Sequence, residues 1–238
     1  TGYASKPYAL VHSRFEEVLS LDADNTPIRN PEYLFETEAY RKTGALFWPD
    51  FFWAPPNQAW NKLANREPIE TLQQESGQMV IDRKRHPEAL DTVLSLNRRY
   101  WEIHPFLWGA CGDKDTFQLS WYRHRSSFHM LPFFPGSCGY VENGNYRSNS
   151  MVQHDCEGRP LFLHKNGSKW HPLRSNERRY WERFLFAKDV SGKGIEVEIS
   201  HAYGNHFHIF KPPERIRWEA VPQDVHDLET ICLSGSHQ

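Results

Sequence analysis

The chain has 238 residues, a formal net charge of −2 and 39 % hydrophobic content, enough for a domain with a real core. That charge balance excludes broad electrostatic binding of nucleic acid, and no stretch approaches the ~20 apolar residues of a membrane-spanning helix. The four cysteines, Cys111, Cys138, Cys156 and Cys232, lack C-x-x-C spacing, which argues against zinc and leaves one disulfide, two or none open.

In chain order, Lys6 to His12 reads as the end of a helix. The apolar run Val18 to Leu21 follows and ends in Asp22-Ala23-Asp24, before Asn25-Thr26-Pro27 stops any strand. Alternation along a strand would put Asp22 and Asp24 on one side. Two hard oxygen ligands at a strand's C-terminal end suit Mn²⁺ or Mg²⁺, whose remaining positions phosphate oxygens can fill. An acidic turn after a buried strand is the competing reading.

Pro31 to Tyr40 predicts a helix, with Asn30 as N-cap and Pro31 at the first helical position. Gly44 to Trp48 predicts a short buried strand, and Pro49 to Trp60 a loop; Trp48, Asp50 and Trp53 offer a lining for a sugar pocket. The Glu75-Ser76-Gly77-Gln78 loop leads into a strand at Met79 to Asp82, and its carboxylate, glycine and amide suit sugar hydroxyls. Pro87 opens a helix that runs to Tyr100. Asp113 and Asp115 begin another, running to Tyr122, where a role at the helix dipole competes with a catalytic one.

Glycines and prolines crowd residues 132–144, which read as loop. Strands are predicted at Met151 to His154 and Pro160 to His164, a helix at Asn176 to Phe186, and a strand from Gly194 to His201. His201, His206 and His208 form a dense cluster that reads as ordinary strand or loop histidines. Trp218 to Gln238 gives no clear element. Strands alternating with helices predict an α/β fold with a mainly parallel sheet. No repeat or composition shift licenses a second domain, so 1–238 reads as one domain with its core at 6–190 and an unassigned tail at 191–238.

The second chemically informative stretch is Leu161 to His171. His164 closes an apolar strand and can complete a cation site begun by two aspartates. Gly167 lets the backbone approach a phosphate, and Lys169 supplies a mobile positive charge. A histidine after a strand is ordinarily structural. Combined with Asp22 and Asp24, at strand ends of the kind where open α/β sheets bind ligands, the ligand reading is stronger.

Taken in order, Leu21 to Asn25, Thr43 to Asp50, Glu75 to Gln78, Gly112 to Phe117, and the stretch from Gln153-His154-Asp155 to His164-Lys165-Asn166 resemble the fungal-type α-mannosyltransferases. These are Golgi α-1,2- and α-1,3-mannosyltransferases that extend cell-wall mannan and protein glycans. The resemblance covers roughly Lys6 to Trp170. It implies a GT-A fold, a nucleotide-sugar-binding α/β sandwich, with Mn²⁺ (or Mg²⁺) held by an Asp-x-Asp motif. It also implies a GDP-mannose donor, a mannose-containing glycan acceptor, and residence in the Golgi lumen with a membrane anchor in the full-length protein.

Carried over by residue, Asp22 and Asp24 are the metal motif. His164, Gly167 and Lys169 resemble the His-x-x-Gly-x-x-Lys element of glycogenin-like retaining transferases, with the Gly-to-Lys gap one residue shorter. Glu75, Ser76, Gly77 and Gln78, with Asp113 and Asp115, fall where related enzymes meet the acceptor and the transferred sugar. Asp115 or Glu75 is the candidate nucleophile if retention proceeds through a covalent intermediate rather than front-face attack.

About 21 residues precede Asp22, so the base-binding half of a GT-A domain is expected to be missing. Asn166-Gly167-Ser168 is a glycosylation sequon inside the proposed phosphate turn, and Asn166 is expected to be unmodified in active enzyme. Three other readings stay open: a same-fold transferase using a UDP-sugar, a non-catalytic glycan-binding protein, and a metal-dependent phosphohydrolase.

Overall fold

The structure is a computed structural model that describes residues 2–54, 58–103, 107, 112–167, 179–202 and 205–234. Helix α1 (Ser5–His12) leads to strand β1 (Glu17–Leu21) and the short β2 (Asn25–Pro27). A 3-10 turn at Glu32–Glu36 precedes α2 (Glu38–Thr43), β3 (Ala45–Trp53), α3 (Gln58–Leu63) and β4 (Leu72–Asp82). Then come α4 (Pro87–Arg98), α5 (Tyr100–Ile103), α6 (Lys114–Arg123) and β5 (His129–Met130). The rest is β-rich: β6 (Gly136–Glu142), β7 (Asn145–His154), β8 (Pro160–His164), β9 (Arg183–Ala187), β10 (Glu196–Ala202), β11 (Asn205–Lys211) and β12 (Ile216–Ala220), closed by α7 (Gln223–Ser234).

Packing divides the chain into two compact units. The first comprises Thr1–Leu21 and Glu32–Leu131 and holds a four-stranded sheet in the order β1-β4-β3-β5. Phe47, Met79 and Ile81 on this sheet meet Leu90 and Val93 of α4 and Phe117 and Trp121 of α6, so one face of the sheet is buried by helices. Pro87 opens α4 at a position where a missing N–H is harmless, and Ala89, Leu90, Val93 and Leu94 form its buried stripe. Gly44 ends α2 in the left-handed conformation (φ 72°), its N–H returning to the Tyr40 carbonyl at 2.6 Å.

The second unit comprises Asp22–Pro31 and Pro132–Gln238. Its six-stranded sheet runs β12-β9-β6-β7-β8-β2, every neighbour antiparallel. Cys138, Val152, Leu163, Phe184 and Phe186 form one core with Val221 and with Val225 of α7. Buried Glu229 of α7 accepts the backbone N–H groups of Tyr180 (2.6 Å) and Trp181 (3.2 Å), tying the helix to the approach to β9. The β10–β11 hairpin lies against β7, where His208 Nδ1 is 3.1 Å from Ser148 Oγ.

The α/β character holds, but the sheets are antiparallel rather than mainly parallel; the one parallel pair described is β3–β5. The reason is local. Asn143 (φ 51°) and Gly144 (φ 76°) form a two-residue turn with both central residues left-handed, which joins β6 directly to an antiparallel β7. Residues 132–144 are therefore largely strand, not loop.

Other elements differ too. Pro31 to Tyr40 is not one helix: a 3-10 turn is followed by α2, and Thr37 rather than Asn30 is its cap, its Oγ1 accepting from Tyr40 N–H at 3.3 Å. Strand β3 continues through Pro49 to Trp53, with register irregularities on both sides of Pro49 that accommodate its missing N–H. Glu75 to Gln78 lies inside the long β4, not in a loop. The second half of the helix expected at Asn176 to Phe186 is strand β9, and its first residues lie outside the described ones. The tail expected to be illegible carries β12 and α7.

Candidate metal and sugar sites

In the second unit, the segment Asp22–Pro31 is laid along strand β8. Asn25 faces His164, Thr26 faces Leu163 and Pro27 faces Phe162. Just before this ladder the chain turns tightly, with Asn25 N–H donating to the Asp22 carbonyl at 2.9 Å, while Lys165 N–H donates to the Asp24 carbonyl at 2.8 Å. Asp22 and Asp24 are thus presented by a turn after β1, not by alternation along a strand.

The result is a convergence of three side chains. Asp22, Asp24 and His164 each offer a donor atom, and these atoms lie within 4.8 Å of one another. His164 Nε2 is 3.3 Å from Asp24 Oδ1, and the His164 side chain is almost fully buried. Two carboxylates and an imidazole form a donor set that suits a divalent cation such as Mn²⁺, so these residues fit the metal that the motif implies.

Next to His164 in sequence, Lys165 is buried with its Nζ 3.9 Å from the centre of the Tyr180 ring. Burial pulls its pKa down to about 7, against the attraction of Glu229. Gly167 is buried and its N–H donates to the Asn149 carbonyl at 3.0 Å. Lys169 lies outside the described residues. The Asn166 of the sequon is half-buried beside the cluster.

The first unit gathers a separate set of charges on β3, β4 and the start of α6. Ser76 Oγ donates to Asp113 Oδ1 at 2.8 Å. Lys6 Nζ donates to the Ser76 carbonyl at 2.9 Å and lies 3.4 Å from Asp113 Oδ2. Glu75 Oε1 accepts the Gly77 N–H at 2.7 Å. Lys114 is ion-paired with Asp50 and donates to Gln73 Oε1 at 2.9 Å. Burial alone would pull Lys114 down, but attraction to Asp50 and Glu75 carries it above the usual lysine value.

Of the residues expected here, Glu75, Ser76, Asp113 and Asp115 are all buried in this unit. Trp48 and Gln78 are buried without exposed surface, which makes Trp48 a core residue rather than a stacking face. Lys6 carries no local sequence signature of this role, whereas the Asp-Lys-Asp triplet 113–115 is a signal for Lys114. Of the histidine cluster, His208 is buried against Ser148, and the side chains of His201 and His206 lie outside the described ones. Cys138, Cys156 and Cys232 are free thiols, and no described helix is long and apolar enough to cross a membrane.

Comparison with known proteins gives concordant results. A family model described as "Mannosyltransferase putative" matches residues 1–70 and 58–155, more than half of the chain. Alpha-1,2-mannosyltransferase MNN2 of Saccharomyces cerevisiae is 26 % identical over 257 aligned positions, covering 84 % of this chain and 43 % of the relative. Alpha-1,2-mannosyltransferase MNN21 of Candida albicans is 24 % identical, covering 84 % of this chain and 37 % of the relative. A shorter alignment with Alpha-1,2-mannosyltransferase MNN2 of Candida albicans is 44 % identical over 63 residues, 26 % of this chain and 11 % of the relative. The chain therefore spans less than half the length of these relatives.

Proposed function

The chain belongs to the mannosyltransferase family whose model it matches, and on that premise we propose that it is catalytic material of a retaining, metal-dependent α-mannosyltransferase of the GT-A type. Its donor is GDP-mannose and its acceptor a mannose-containing glycan, with the α-1,2 linkage that its relatives' names carry. Its setting is the Golgi lumen, with a membrane anchor in the full-length protein. The observation that carries the reading is the convergence of Asp22, Asp24 and His164, from two distant parts of the sequence, into one donor set.

Asp22, Asp24 and His164 would hold the cation, Mn²⁺ or Mg²⁺, which when bound neutralises charge developing on a departing diphosphate. The carboxylates of the first unit address hydroxyls. Asp113, held by Ser76 and Lys6, and Glu75, turned back on the Gly77 N–H, are acceptors for sugar O–H groups. Gly167 and Lys169 belong to the donor side of this proposal. Donor and product are both α-linked, so the acceptor hydroxyl adds with retention; Asp115 and Glu75 are the candidate catalytic carboxylates.

The test is a donor screen with an α-mannoside acceptor in the presence of Mn²⁺. The reading predicts α-1,2-linked product from GDP-mannose, lost in Asp22→Ala and reduced at least tenfold in Asp115→Asn or Glu75→Gln, as removal of a group acting in the transition state requires. Transfer from a UDP-sugar alone would overturn the donor. Release of mononucleotide regardless of acceptor would make the protein a phosphohydrolase.

A further inference from the structure

The strand that follows Asp22 and Asp24 is too short to hold its own register. β2 has three residues, one of them Pro27, which donates no ladder hydrogen bond. A slip of one residue along β8 would turn every side chain to the opposite face and move Asp24 away from His164. Something beyond the ladder must set the alignment.

The continuation of the same segment supplies it. Ile28 N–H donates to the Leu161 carbonyl at 2.8 Å, extending the pairing past β2. Arg29 then grips the start of β8 with its guanidinium. Nε donates to the Pro160 carbonyl at 2.9 Å, and Nη2 reaches the same carbonyl at 2.7 Å, the Arg159 carbonyl at 3.3 Å and Asp155 Oδ2 at 3.0 Å. Asp155 is itself fixed. Fully buried, it accepts the N–H groups of Glu157 and Arg159 through Oδ1, both at 2.9 Å, and the Arg159 Nε through Oδ2 at 2.9 Å. The β7–β8 turn is thus built around Asp155, and Arg29 measures its distance from that turn.

We propose that Arg29 and Asp155 form a register clamp for the metal site: positioning residues that align Asp22 and Asp24 with His164 from the far end of strand β8. This rests on the metal reading of those three residues. A guanidinium fork suits the task because its planar donors are rigidly spaced, whereas an ammonium on a flexible stem holds no fixed spacing between its partners.

The test reads Mn²⁺ directly, by the paramagnetic resonance signal of the free ion titrated with protein at a temperature where circular dichroism shows every variant folded. The wild type binds Mn²⁺ and Asp24→Ala does not. Arg29→Ala weakens binding by about tenfold or more, the lower end of what supporting groups around a metal contribute. Arg29→Lys, should the alanine variant not fold, weakens it several-fold. Arg159→Ala, which removes the other guanidinium on Asp155 without touching the Asp22–Pro31 segment, leaves binding within twofold of wild type.

Wild-type affinity in the Arg29 variants overturns the clamp while leaving the metal site standing. Equal losses in Arg29→Ala and Arg159→Ala also overturn it, since Asp155 would then serve general stability rather than alignment. A wild type that ignores Mn²⁺ overturns the metal reading and the clamp with it.

Discussion

Asn25 sits directly opposite His164 on the β2–β8 ladder, so Asp24, one residue earlier, emerges where the imidazole of His164 ends, with Asp24 Oδ1 3.3 Å from Nε2. Strand pairing, not sequence proximity, builds the donor set. The antiparallel arrangement matters, because it brings the start of one strand against the end of the other.

A cation that binds the folded chain alone must stabilise it. Mn²⁺ at a hundredfold excess over its dissociation constant raises the unfolding free energy by about 2.7 kcal/mol, and a chelator reverses the gain. Asp22→Asn, Asp24→Ala and His164→Ala each abolish the increment. Thermal unfolding with and without Mn²⁺ measures it, and an increment surviving in all three variants would place the ion elsewhere.

His154 predicts an acid-sensitive fold. Burial, with Arg217 nearby, lowers its pKa to about 4 from the usual 6.5, and Asp155 only partly opposes this. Between those values the unfolded chain binds a proton that the folded chain refuses, so stability falls as pH drops from 6.5 towards 4, by up to about 3 kcal/mol. His154→Leu removes this contribution and flattens the profile. Denaturant unfolding from pH 7 to pH 4 checks it; an unchanged slope in the variant would assign the acid sensitivity to other groups.

Lys114 and Asp50 form a buried pair whose loss is asymmetric. Lys114→Ala leaves a buried carboxylate without its cation and destabilises the chain by about 3–5 kcal/mol. Adding Asp50→Asn restores more than half of that loss. Equilibrium unfolding of the two single variants and the double variant gives the coupling, and additive losses would show that the pair acts independently.

The two halves of the Asp22–Asp24–His164 cluster were legible because chemistry and spacing coincided. Asp22 and Asp24 follow an apolar run, and His164 ends one. Sheet direction was hidden for a physical reason. β4 buries Gln73, Gln74, Glu75, Ser76 and Gln78, so its polar half does not read as a strand, although it pairs with β3 and, from Gln78 on, with β1. The Asn143-Gly144 signal was present but submerged among neighbouring glycines and prolines. Arg29 and Asp155 had no local signature, since their meeting depends on how β2 finds β8. Lys114 was masked by the two aspartates that flank it.

Isothermal titration of GDP into wild type and Asp24→Ala, each with and without Mn²⁺, tests the central claim most directly. The account predicts GDP binding to the wild type that requires Mn²⁺ and disappears in Asp24→Ala. Binding that ignores Mn²⁺ or persists undiminished in the variant would contradict it.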